Sequence, residues 1–164
     1  AQLLLERGYD FQAIRIPDDL GYRNGLLFSP ATFDRVIRPA HEILCDWARQ
    51  RGKICWLHSC GNIMALVPRL VQIGWQVLNP LEIKAGMDPL WLKEHYGDAL
   101  TLEGGIDVHT MLDRADMERE VAGKIPVLKQ GGGYIYHSDH SVPDNVSFED
   151  YCHLVELVRQ YGGY

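Results

Sequence analysis

Residues 53–62 read KICWLHSCGN, an apolar run from Lys53 to Leu57 that ends abruptly on the polar turn His58-Ser59-Cys60-Gly61-Asn62. A short apolar run bounded by turn residues is the signature of a buried strand. The same pattern recurs on both sides of it. Phe11 to Ile16 runs into Pro17, Asp18, Asp19, Leu20 and Gly21, Trp75 to Leu78 is closed by Asn79 and Pro80, Ala99 to Glu103 enters Gly104 and Gly105, and Tyr134 to His137 precedes Asp139 and His140.

Helical patterns separate these strands. Ser29 as N-cap and Pro30 at the first position open a helix to about Gly52. Its expected apolar face is Phe33, Val36, Ile37, Ala40, Ile43, Leu44 and Trp47, with a bend at Pro39. A second helix runs from about Ile63 to Ile73 on Leu66, Leu70 and Ile73, and a third from Pro89 to Tyr96 is capped by Asp88. A fourth lies between Asp113 and Lys129, with Ala115, Val121, Ile125 and Leu128 inward and Pro126 interrupting it. The last is opened by Ser147 and Asp150 as a capping box and ends near Tyr161. Five alternations of strand and helix predict an α/β fold with a mostly parallel sheet. Chemistry in such folds collects at the carboxyl ends of the strands, where Asp18, Asp19, His58, Cys60, Asn79, Glu82, Asp107, His137, Asp139 and His140 all fall.

With 164 residues the chain is long enough for one domain and core. Sixteen basic residues against 22 acidic ones leave a net charge of −6, which offers no general attraction for nucleic acid or an anionic membrane surface. No apolar run approaches the roughly 18 residues of a membrane span. The glycine runs at Gly104 and Gly131 to Gly133 lack the G-x-G-x-x-G spacing of a dinucleotide site, so NAD is not expected. Four unevenly spaced cysteines predict reduced thiols and a cytoplasmic setting, with Cys45, Cys55 and Cys152 as packing residues. The opening AQLLLERGY has neither an initiator methionine nor a signal sequence and reads as a segment entered mid-helix.

An imidazole and a thiol two residues apart at a strand end can converge on one ion, and zinc favours such N and S ligands. Glu82, His137, Asp139 and His140 at neighbouring strand ends offer further ligands; the plainer alternative has His58 capping its strand and Cys60 filling space. Asp18 and Asp19 cannot both face the mouth easily, so one is expected to serve the turn and the other a cation or a proton. Tyr22, Arg23 and Asn24 follow them as candidate substrate contacts. His41, His95, His109 and His153 read as helix-surface, helix-end or loop residues.

Taken together, FQAIRIPDDLG, LFSPATFDRVIRP, ICWLHSCGN, LEIKAGMD, LTLEGGID and GGYIYHSDHSVPDNVSFEDY resemble the uroporphyrinogen decarboxylase superfamily, which includes cobalamin-linked methyltransferases. The resemblance runs through essentially all of residues 1–164 and implies a single partial (β/α)8 barrel, strands four to eight, with the first three strands missing. A whole barrel needs roughly 250 residues. In the methyltransferase branch it implies a zinc held by an H-x-C element, matched by His58 and Cys60, together with Glu82 and His140, the last standing where that branch carries cysteine. The decarboxylase branch carries histidine at that place. Asp18 and His140 are thereby expected to be catalytic, and Asp19, Tyr22, Asn79 and Asp107 to line a small-molecule substrate. The implied activity is methyl transfer between a corrinoid, carried by a partner protein, and a thiol. Metal-free decarboxylation of tetrapyrrole acetate groups is the alternative, and a non-catalytic half-barrel scaffold a third. A homo-oligomer or completion by the missing amino-terminal segment is expected to cover the open sheet edges.

Overall fold

The computed structural model describes residues 1–163. Strands β1 (Ala13–Pro17), β4 (Ile54–His58), β5 (Val77–Asn79), β6 (Thr101–Glu103) and β7 (Tyr134–Ile135) form one sheet in that order, every pair parallel. The sheet does not close on itself, and β1 and β7 are its edges. A two-stranded hairpin, β2 (Gly21–Tyr22) with β3 (Gly25–Leu26), sits on the connection that leaves β1. The α/β alternation expected from the hydrophobic pattern is therefore the observed architecture.

Register explains how the sheet divides its residues. Ile16, Leu57, Leu78, Leu102 and Tyr134 are consecutive partners across the five strands and form one apolar row, buried except for the half-buried Ile16 at the edge. Because side chains alternate between faces, the neighbouring rows point to the other side. They are Arg15, Trp56, Val77 and Thr101 in one row and Pro17, His58 and Asn79 in the next. One face thus carries the apolar core and the other a mixed, polar lining.

The helices begin where their caps say. Ser29, Asp88, Asp113 and Ser147 each accept a backbone N–H three residues on, opening α2 (Pro30–Thr32), α5 (Pro89–Tyr96), α6 (Arg114–Leu128) and α7 (Phe148–Gly162). Such caps contribute about 1 kcal/mol each. Helix α4 (Val67–Ile73) ends on Gly74 in the left-handed conformation (φ 107°), the usual way to stop a helix before a strand. The short α1 (Gln2–Glu6) lies beside α3 (Arg38–Arg49), where Trp47 donates to Gln2 and stacks on Phe11.

The expected face of the long helical segment from Ser29 to Gly52 is out of phase beyond Phe33. A π-helical turn at Phe33–Ile37 separates α2 from α3, with Pro39 in the first turn of the resumed α-helix. Phe33 is buried as expected, but a π-turn takes one extra residue, so beyond it the inward positions shift by one from Ala40, Leu44 and Trp47 to His41, Cys45 and Ala48. Val36 and Ile43, expected inward, are 61% and 70% exposed. His41, expected on the helix surface, is instead buried.

Among the described residues no helix is long and apolar enough to cross a membrane.

Candidate functional site

The loop after β4 brings the principal donors together. His58 Nε2 lies 3.7 Å from Cys60 Sγ, and an Asp19 carboxylate oxygen joins them, so that all three ligand atoms lie within 4.8 Å of one another. The loops that do this are stitched to each other by backbone N–H donors: Asp18 N–H donates to His58 O, Cys60 N–H donates to the Asp19 side chain at Oδ1 (2.8 Å), and Asn62 N–H donates to Tyr22 O. Gly61 permits the close approach. Its φ is +79°, and a Cβ there would stand 2.4 Å from Tyr22 N. Only glycine fits.

The side chains behind His58 form a bonded set. His58 Nδ1 is 2.5 Å from Asn79 Oδ1, and Arg15 donates to that same oxygen at 2.8 Å. Arg15 also lies over the Trp56 ring, whose N–H donates to Glu103. Beyond the triad opens a cavity of about 300 Å³ lined by Arg15, His58, Cys60, Pro80, His137, His140 and Ser141. A space of that size suits a small molecule or one end of a larger one.

Electrostatics at Cys60 are unfavourable for a bare thiolate. Burial, reinforced by the carboxylates of Asp19 and Glu82, pushes its thiol up to about 11. The same carboxylates favour a cation, and a bound cation would reverse the shift. In metal-stripped protein, Cys60 alkylation by iodoacetamide is therefore expected to be slow at neutral pH, since only the thiolate reacts, and to rise about tenfold per pH unit until it levels near the thiol pKa. Intact-mass kinetics of the wild type against Cys60→Ser, which isolates this thiol from the other three, check it; a plateau already reached below neutral pH contradicts the buried, acid-flanked geometry.

The model of the family described as uroporphyrinogen decarboxylase (URO-D) matches residues 7–161. The chain belongs to that family. None of the curated proteins matches it significantly in sequence. Its fold is similar to that of a methyltransferase from Methanosarcina mazei, with a TM-score of 0.68 and 20% identity over 98% of this chain. The chain spans 44% of the length of that protein. An open five-stranded parallel sheet aligned to part of a longer relative is consistent with a partial (β/α)8 barrel of the uroporphyrinogen decarboxylase type.

Within this family member the residues singled out in the sequence separate into those the fold gathers and those it uses otherwise. His58, Cys60 and Asp19 converge. His140 lines the same cavity as His58 and Cys60 but stands outside the triad. Glu82, expected as a ligand, is committed elsewhere: its Oε2 accepts the Gly61 N–H at 2.5 Å, and its Oε1 is 3.5 Å from Lys84 Nζ. Asp107, expected on the substrate, caps a short 3₁₀ turn through the His109 N–H and also meets His109 Nδ1 at 2.8 Å. Asn79, likewise expected on the substrate, is buried against His58 and Arg15. Tyr22 is half exposed on the hairpin and meets the site loop through its backbone.

The adjacent acids face different partners, and Asp19 rather than Asp18 reaches the triad. Asp18 Oδ2 accepts from His41 Nε2 at 2.8 Å, while the Trp75 indole N–H donates to His41 Nδ1 at 3.2 Å. His41 was missed as a site-region residue. A histidine at an inward helical position is a usable signal, but the π-turn displaced the apparent phase and hid it.

Asp139, also a candidate ligand, is fully buried and accepts the backbone N–H groups of Ile83 and Val108. It braces loops and is absent from the triad.

Proposed function

We propose that the chain is the carboxyl-terminal part of a zinc-dependent methyltransferase of the uroporphyrinogen decarboxylase superfamily, which moves a methyl group between a corrinoid and a thiol. The observation that carries the reading is the His58, Cys60 and Asp19 triad at the strand ends. One imidazole nitrogen, one thiol sulfur and one carboxylate oxygen form a donor set suited to zinc with a position left for an incoming ligand. Zinc bound there would lower the pKa of a substrate thiol, so that the nucleophilic form exists near neutral pH.

The chain's own residues hold this arrangement. Asp19 Oδ1 accepts the Cys60 N–H, which holds the carboxylate beside the thiol. His58 is anchored at Nδ1 by Asn79. Arg15 brings hydrogen-bond donors and His137 and His140 bring imidazole nitrogens to the adjoining cavity for a small substrate. A corrinoid borne by a partner protein, and completion of the barrel across the two open sheet edges, belong to the same proposal.

Elemental analysis of protein purified without added metal or chelator tests it. About one equivalent of zinc is expected, lost in His58→Ala and in Cys60→Ala; a metal-free wild type under those conditions overturns the reading. The decarboxylase alternative draws support from His140, which lines the cavity while standing outside the triad. There, fixed polar groups would stabilise the charge formed as an acetate side chain loses carbon dioxide. Tetrapyrrole binding by the metal-free protein would support that second reading.

A further inference from the structure

We propose that Arg15 and Asn79 are a positioning pair that selects the tautomer of His58, placing the proton on Nδ1 and directing the Nε2 lone pair toward Cys60. The inference rests on the triad being a metal site only for its consequence in metal affinity. The tautomer follows from the neighbours alone.

Asn79 is 2% exposed and is the register partner of His58 on the adjoining strand, so the two side chains emerge side by side on one face. Arg15 lies on that same face, two residues before Pro17, the partner of His58 on β1. Its Nη2 stands 2.8 Å from one terminal atom of the Asn79 amide. A guanidinium has donors only, so that atom must be the oxygen; the reversed amide would set an NH₂ group against another donor. Arg15 thereby fixes which way the amide faces.

The amide then fixes the histidine. Oδ1 is an acceptor without a proton, and it stands 2.5 Å from His58 Nδ1. Two bare lone pairs would repel at that separation, so the proton between them sits on Nδ1. A neutral imidazole has one N–H, which leaves Nε2 as the lone pair, 3.7 Å from Cys60 Sγ. Arg15 also lies 3.4 Å from Nδ1, a longer contact than its bond to the amide.

The cost of this orientation falls on the amide nitrogen. Among the described residues, Nδ2 is the one buried side-chain nitrogen or oxygen with no hydrogen-bond partner. A buried amide donor left unpaired is a cost that folded proteins usually avoid. Here the Arg15 guanidinium, a donor whatever the state of His58, demands the oxygen, and the nitrogen is left over. Arg15 is steadied in turn by the Trp56 ring, 5.6 Å away, and Trp56 by Glu103 at 2.8 Å, so the pair is anchored across neighbouring strands.

The test uses the whole chain with ¹⁵N-labelled histidine. In metal-stripped wild type, long-range ¹H–¹⁵N spectra should show His58 as the Nδ1–H tautomer, and Asn79→Leu and Arg15→Met should each lose that preference. Zinc alone, titrated against a chromophoric chelator, should bind about 10- to 100-fold more weakly to Asn79→Leu, the usual effect of removing a partner behind a metal-binding histidine. Asn79→Asp should bind zinc at least as tightly as wild type, because a carboxylate serves Arg15 and His58 without leaving a buried donor orphaned. A merely structural role would leave the tautomer and the zinc affinity of a folded Asn79→Leu protein unchanged. An Nε2–H tautomer in the wild type overturns the proposal, as does an Asn79→Leu protein that folds and keeps wild-type zinc affinity. Should Asn79→Leu fail to fold, Arg15→Met, at an exposed residue, carries the same two measurements. If the wild type binds no zinc, the metal reading falls and the tautomer spectra alone decide the pair: Nδ1–H supports it and Nε2–H overturns it.

Discussion

Gly104→Ala is expected to be the most damaging single-methyl change in the chain, costing more than about 4 kcal/mol or preventing folding outright. Gly104 follows β6 with φ +116°, and a Cβ built there falls 1.8 Å from the Pro80 carbonyl oxygen and 2.6 Å from its carbon. The contact is with backbone, so no rotamer change relieves it. Nor can Pro80 retreat easily. Its carbonyl accepts the Gly105 N–H at 3.0 Å, and it follows Asn79, the partner of His58. The effect should therefore reach the donor triad as well as the fold. Gly123→Ala makes the contrast. It lies within α6 with open space around its Cβ position, and alanine there should stabilise by about 1 kcal/mol through helix propensity alone. Urea unfolding of the two variants measures both; near-wild-type stability in Gly104→Ala would mean that the β5 and β6 exits do not pack as described.

Asp139→Ala should be the next most severe. The side chain is fully buried beyond β7, its Oδ2 accepting the Ile83 N–H at 2.9 Å and its Oδ1 the Val108 N–H at 3.0 Å. Its own N–H donates to Ile106 O at 2.8 Å. One residue thus ties the loops leaving β5, β6 and β7. Alanine strands two buried backbone donors at about 1–3 kcal/mol each. Asp139→Asn keeps one acceptor oxygen and should lose about half as much. Chemical denaturation gives the ranking, and hydrogen exchange should show Ile83 and Val108 losing protection together. Equal stability of all three proteins would remove the brace.

The expected order of strands and helices is found in the structure because its signals are local. Ser29-Pro30, Asp88-Pro89 and Ser147 with Asp150 are caps read within four residues, and each opens a helix in the structure. Phase was less secure. One π-turn at Phe33–Ile37 moved the buried face by a residue, put Val36 and Ile43 in solvent and buried His41. Nothing in a 3.6-residue periodicity announces an inserted residue.

The site divides along the same line. His58 and Cys60 were legible as a pair because two residues of one strand end cannot lie far apart. Which acid joins them was not, since the candidates come from different loops. Asp19 meets Cys60 from 41 residues away, and Glu82 turns instead onto Gly61, 21 residues before it. Asn79 looked like a substrate contact at a strand end and proved to be the neighbour of His58 by register. The sequence by itself determined the α/β order and the gathering of polar residues at the carboxyl ends of the strands, because periodicity and capping act over a few residues. Only the tertiary structure decided which of those residues face one another, because that depends on strand register and loop direction, which are set by contacts distant in the chain.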